Sequence, residues 1–181
     1  MIHKLSLKIA NFIRNNNDQA ASMDVLMFSL AVVLNAILVT LMIVTASIIT
    51  GKFVEAMILL GSFVILRFFS GGMHLPTSNW CNVISTALFV VLMHLPVTYW
   101  YAGLVLNAIT LLLVVVFAPT KDIMHLNLLG PKYTPHFKLA SIALVAVNFW
   151  IQSPLMAMAY FSQALTLLPI SYKLAESLER R

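Results

Sequence analysis

A chain of 181 residues that is 61% apolar and only 9% charged cannot clothe a soluble globule, whose surface draws on about a quarter of charged residues. Its length is spent instead on apolar spans of about 20 residues each, so the composition specifies an all-α, polytopic integral membrane protein. The net charge of +5 is scattered, with no basic block dense enough to follow a nucleic-acid backbone; nucleic acid is excluded as a partner, and the charge is left to orient the chain in the lipid bilayer.

Residues 2–14 place Ile2, Leu5, Ile9, Phe12 and Ile13 at helical spacing, with Lys4, Lys8 and Arg14 elsewhere around the wheel. That pattern predicts an amphipathic helix within residues 1–22, either lying in the headgroup region or packed on the rest of the protein. Asn15-Asn16-Asn17-Asp18 breaks it, and Ser22 or Asp24 can cap the next helix. The apolar run from Val25 is too long for the core of a cleavable signal peptide and has no convincing cleavage site, so it is expected to stay as the first span, 25–50. The second span, 53–69, carries Glu55 near its start and Arg67 near its end. The third, 82–97, has His94 and Pro96 towards its far end. Tyr99, Trp100 and Tyr101 then form an aromatic cluster suited to a membrane interface, ahead of a fourth span at 102–118. A loop over 119–138 holds Lys121, Asp122, His125, Lys132, His136, Lys138 and three prolines. A short fifth span, 139–151, turns at Gln152-Ser153-Pro154 into a sixth, 155–170, and the polar tail reads as a helical extension. One domain, 1–181, with about six transmembrane helices is predicted.

With six spans the amino-terminal segment, the stretch 67–81, the loop 119–138 and the tail share one side. Those regions hold every Lys and Arg except Lys52. Positive residues mark the cytoplasm, so both termini and residues 67–81 are expected there.

Residues 67–81 contain the only cysteine, Cys81, with His74 seven residues before it, and Arg67, Gly71, Gly72 and Pro76. A single cysteine forms no internal disulfide. Polar groups at the mouth of a lipid-embedded chain are costly and point to function. On an unbroken helix His74 and Cys81 would share a face but lie about 10.5 Å apart along the axis, too far for a thiol–imidazole hydrogen bond. The glycines and proline predict a broken helix that folds back to join them, inside protein or a wet cavity. An imidazole beside a thiol can take its proton and later protonate a leaving amine, while backbone N–H groups near Cys81, with Ser78 or Asn79, bind the oxyanion. The competing reading of the residues alone is a small buried thiol, a structural histidine, a glycine turn and a snorkelling arginine.

At these residues the sequence resembles the accessory gene regulator B (AgrB) family, membrane cysteine endopeptidases of bacterial quorum sensing. The family pattern is an arginine, then Gly-Gly-x-His, then a cysteine seven residues after the histidine; Arg67, Gly71, Gly72, His74 and Cys81 match it. The amphipathic start, the number of spans, and Ala118-Pro119 leading into a lysine-containing loop extend the likeness over most of the chain. The resemblance implies a bacterial cytoplasmic membrane and an AgrD-like propeptide as partner and substrate. It implies Cys81 as nucleophile and His74 as base, then acid. An acyl thioester on Cys81 would be resolved by ring closure to a thiolactone or lactone signal. It also implies a homodimer. Lys121, Lys132 and Lys138 either steer the acidic propeptide tail or serve only to mark the cytoplasmic side.

Two other classes compete. In a metal-binding or transport protein Cys81, His74, His125 and His136 would be soft ligands, but the histidines lack tight ligand spacing, and no metal or cofactor is expected. In a non-catalytic membrane partner the polar stretch would be only a turn.

Overall fold

The computed structural model describes residues 2–17, 20–73, 78–120 and 131–179. Helix α1, Ile2–Asn16, is followed by α2, Met23–Thr50, and α3, Phe53–Ser70. Next come α4, Ser78–His94, and a π-helical turn, Tyr99–Gly103, that runs into α5, Leu104–Phe117. After a 3-10 turn at Pro131–Tyr133 the chain forms α6, Thr134–Ile151, then α7, Pro154–Leu165, and α8, Pro169–Glu179. Among the described residues there is no strand. An all-α, polytopic membrane protein is what these helices build.

Each predicted span has its helix, with differences at the ends. Among the described residues three helices are long and apolar enough to cross a bilayer alone: Met23–Thr50, Phe53–Ser70 and Tyr99–Phe117. Helices α7 and α8 meet at a 63° bend and together would make a fourth; α4 is apolar over Trp80–His94 but short. The sixth predicted span therefore ends at Leu165 rather than 170, because Pro169 cannot continue a helix begun before it. The loop predicted over 119–138 also ends early. Pro135 sits in the first turn of α6, where a missing N–H costs nothing, so His136 and Lys138 belong to a helix and not to a loop.

Helix α1 packs on α2 through a small-residue face, with Ser6 and Ala10 fully buried, while Leu5 and Phe12 stay 47% and 70% exposed. Small residues let the two backbones approach, and the bulky apolar side chains are left to lipid.

Helix α7 is the hub. Ala157, Met158, Ala159, Tyr160, Ser162, Gln163 and Ala164 are all buried, and α7 packs against α3, α4, α5 and α6. Two apolar cores lie along it. Ile43, Ala56, Leu59, Phe89, Leu92 and Met93 gather around Met158 and Ala159; Leu66, Val114, Ala118, Val145 and Leu167 gather around Tyr160 and Ala164.

Hydrogen bonds fix which helix ends lie together. Thr120 N–H donates to the Ser70 carbonyl at 3.0 Å and Met73 N–H to the Thr166 carbonyl at 3.1 Å, so the carboxyl ends of α3, α5 and α7 meet. At the other end Asn148, closing α6, donates to Asn107 Oδ1 near the start of α5 at 3.1 Å and accepts from Ser153 N–H just before α7 at 3.1 Å. Successive helices from α3 to α7 thus alternate in direction. Trp100, Tyr101 and Trp150, which are 64%, 79% and 91% exposed, ring the end opposite Ser70, as an interfacial belt would.

Candidate functional site

Helix α3 stops at Ser70 because the next two residues take backbone conformations that side chains resist. Gly71 has φ 72° and ψ −151°, and Gly72 has φ 137°. Both fall where glycine is almost the sole occupant. The predicted break in the helix is therefore real, and the glycine pair makes it.

Unwound backbone at such a place must have its polar groups satisfied from elsewhere. In Gly71-Gly72-Met73 every one is. Gly71 N–H donates to the Arg67 carbonyl at 2.8 Å, Gly72 N–H to Thr120 Oγ1 at 3.1 Å, and Met73 N–H to the Thr166 carbonyl. The Gly71 carbonyl accepts from Gln163 Nε2, and those of Gly72 and Met73 accept from Arg67 Nη2 at 3.4 and 2.7 Å. Gln163 ties the two donors together: its Oε1 accepts from Arg67 Nη1 at 3.2 Å, and its Nε2 also donates to Ser70 Oγ at 3.2 Å. Arg67 Nη1 reaches Thr166 Oγ1 as well, at 3.5 Å. Arg67 is thus no simple snorkelling anchor. Its planar fork spans neighbouring carbonyls, which the single ammonium of a lysine would not do. Hydrogen bonds to a charged donor contribute about 1.5–3 kcal/mol each, enough to hold three residues in an otherwise unfavourable path.

The same cluster explains why position 72 holds no side chain. A Cβ there would be driven into Thr166 Oγ1 and pressed on Gln163 Nε2 and Arg67 Nη1. Ser70 and Gln163 are fully buried and Thr120 is 8% exposed, while Arg67, Met73 and Thr166 are half-buried at the edge of the cluster.

The chain is described again from Ser78, and Cys81 lies in the first turn of α4. It is a free thiol, partly exposed, with Sγ 4.0 Å from Ser85 Oγ one turn on. Its neighbour Asn82 is 5% exposed, and Asn82 Oδ1 has no hydrogen-bond partner among the described residues. Helix α4 packs on α2, α3 and α7, so the thiol stands beside the bundle and not apart from it.

His74 lies outside the described residues, as do Lys121 and His125. Ser78 and Asn79 open α4 by their backbone, and their side chains lie outside what is described. Lys132 is exposed in the 3-10 turn, and Lys138 is half-buried in α6. His136 is exposed, its ring 6.0 Å from that of Tyr133. His94 is exposed at the opposite end, with Nδ1 2.8 Å from the Val90 carbonyl. Among the described residues no three of His, Cys, Asp and Glu gather in one place. The structure thus brings Arg67, Gly71 and Gly72 into one unit. It adds Gln163, Thr166 and Thr120, which no sequence motif picks out.

A family model described as Accessory gene regulator B matches residues 6–172. Comparison with curated proteins and with solved structures returns no match.

Proposed function

The chain belongs to the accessory gene regulator B family, which takes part in quorum-sensing propeptide processing, and from that premise we propose that it is a membrane cysteine endopeptidase cutting a short AgrD-like propeptide at Cys81. His74 takes the thiol proton as the sulfur attacks the carbonyl that ends the future signal. A C–S bond forms, the amide C–N bond breaks, and His74 returns the proton to the departing amine. The acidic tail leaves, and the signal segment stays on Cys81 as an acyl thioester. A thiol or hydroxyl within that segment then attacks the thioester, closing a thiolactone or lactone ring and freeing Cys81. Exchange of one thioester for another is nearly balanced, whereas hydrolysis discards the activation, so the site works only if water is kept out.

One observation carries this reading: the chain's single thiol stands in the first turn of the helix that comes after the anchored Gly71–Met73 turn. A helix amino terminus places positive potential and backbone donors where an oxyanion develops, and Ser78 or Asn79 would add a side-chain donor. The anchored turn lies immediately before His74 in the chain, which supports the imidazole being delivered to a fixed place. Both termini and the site face the cytoplasm on this reading. The exposed Lys132, together with Lys121 and Lys138, steers the acidic tail, an attraction that weakens as salt is added.

The test is co-expression with short peptides that end in an acidic tail, followed by mass spectrometry of the intact protein. A peptide covalently held on Cys81, absent from Cys81→Ser although that variant reaches the membrane at normal level, is the expected result. Cleavage that survives Cys81→Ser would overturn the proposal.

A further inference from the structure

Gln163 is fully buried on the hub helix, among residues that are mostly small or apolar. Its head group is spent on the turn before His74: Oε1 accepts from Arg67, and Nε2 donates to Ser70 Oγ and to the Gly71 carbonyl. A buried amide in a membrane helix is costly unless fully paired, and a plain helix contact needs no such residue. What Gln163 pairs with is an arginine, a serine hydroxyl and a backbone carbonyl at the end of α3, 92 to 96 residues earlier in the chain. Its loss would loosen the hold on Arg67 and leave the Gly71 carbonyl with the Ser70 hydroxyl, 3.2 Å away, as its side-chain donor.

We infer that Gln163 is a positioning residue for His74. It locks Arg67 and Gly71, and through them holds the backbone of 71–73, the residues that precede His74 in the chain. This rests on the reading of His74 and Cys81 as the reacting pair. Gln163 touches neither reacting atom and acts only through the backbone of 71–73. Thr166, which caps the carboxyl end of α7, completes the arrangement by accepting Met73 N–H on its carbonyl.

The inference separates from a merely structural role by non-additivity. Gln163→Met keeps the side chain's length and removes its polar atoms. Gln163→Glu keeps its shape and its acceptor but loses the donor to Gly71, and draws Arg67 into an ion pair. In reconstituted membranes each is expected to lower kcat for propeptide cleavage by on the order of a hundredfold with little change in KM, the effect of a misplaced catalytic group. Alkylation of Cys81 by iodoacetamide at fixed neutral pH should slow by roughly tenfold, as it should in His74→Ala, because an unassisted thiol is only a few per cent thiolate. Combined with His74→Ala, neither variant should slow alkylation further.

Wild-type alkylation and cleavage rates in either variant overturn the inference, and so does additional slowing in the His74→Ala background. Failure of both variants to reach the membrane makes Gln163 a residue of the fold and overturns it as well. If instead Cys81→Ser and His74→Ala keep cleaving, it is the peptidase reading that fails. Loss of cleavage in those two with none in the Gln163 variants removes this inference alone.

Discussion

The two ends of the bundle solve the same physical problem with different reach. At the end of the aromatic belt Asn148 closes the turn between α6 and α7. It accepts Ser153 N–H and donates to the Ser153 carbonyl, and Asn107 ties the pair to α5 through the Val145 carbonyl. That knot is neutral, and its turn is capped from five residues away. The other end gathers Arg67 and Ser70 from α3, Thr120 beyond α5, and Gln163 and Thr166 from the end of α7, around three residues of unwound backbone. It uses a charged fork where the first uses carboxamides. The charged arrangement is the one the proposed function would draw on, because its last residue, Met73, directly precedes the motif histidine in the chain.

Substitutions can sharpen or break this contrast. The largest effect is expected from Gly72→Ala, which places a Cβ against Thr166 Oγ1 at φ 137°. Cleavage of a propeptide should fall on the order of a hundredfold, and stability by about 1–3 kcal/mol. Wild-type turnover of Gly72→Ala would dissolve the distinction between the two ends. Asn148→Leu should do the reverse. Leaving Ser153 unpaired is expected to lower unfolding stability by about 1–3 kcal/mol, read as a lower thermal midpoint in detergent, with cleavage intact below that midpoint. A loss of kcat there, at a temperature where the protein is folded, would mean that the knot serves the site too. The smallest effect belongs to the Lys52–Glu55 ion pair, 3.0 Å long and on the surface beside Gly51. Glu55→Gln should leave both thermal midpoint and turnover unchanged within error, since exposed pairs of this kind contribute little.

How much of this is legible in the letters differs by element. Hydropathy locates the helices because lipid imposes a long apolar run on any helix that crosses it. Gly71-Gly72 announces the break because positive φ leaves few alternatives to glycine. The start of α6 is harder to place, since Pro135 signals a loop and a helix's first turn equally well. Gln163 stays hidden although a carboxamide inside an apolar helix is itself a signal of pairing. Its partners lie 92 to 96 positions away, and nothing local to α7 names them. The same holds for Thr120 and Thr166, ordinary loop and helix-end residues until the carboxyl ends of three helices converge.

Helix α2 has a consequence of its own. Its 28 residues measure about 42 Å at 1.5 Å per residue, against about 27 Å for the 18 of α3, and a bilayer's hydrocarbon layer is about 30 Å. Joined to α3 by a two-residue turn, it cannot shift to share the excess at both ends. It must tilt, or carry α1 well clear of the hydrocarbon, and a membrane of different thickness will change which it does.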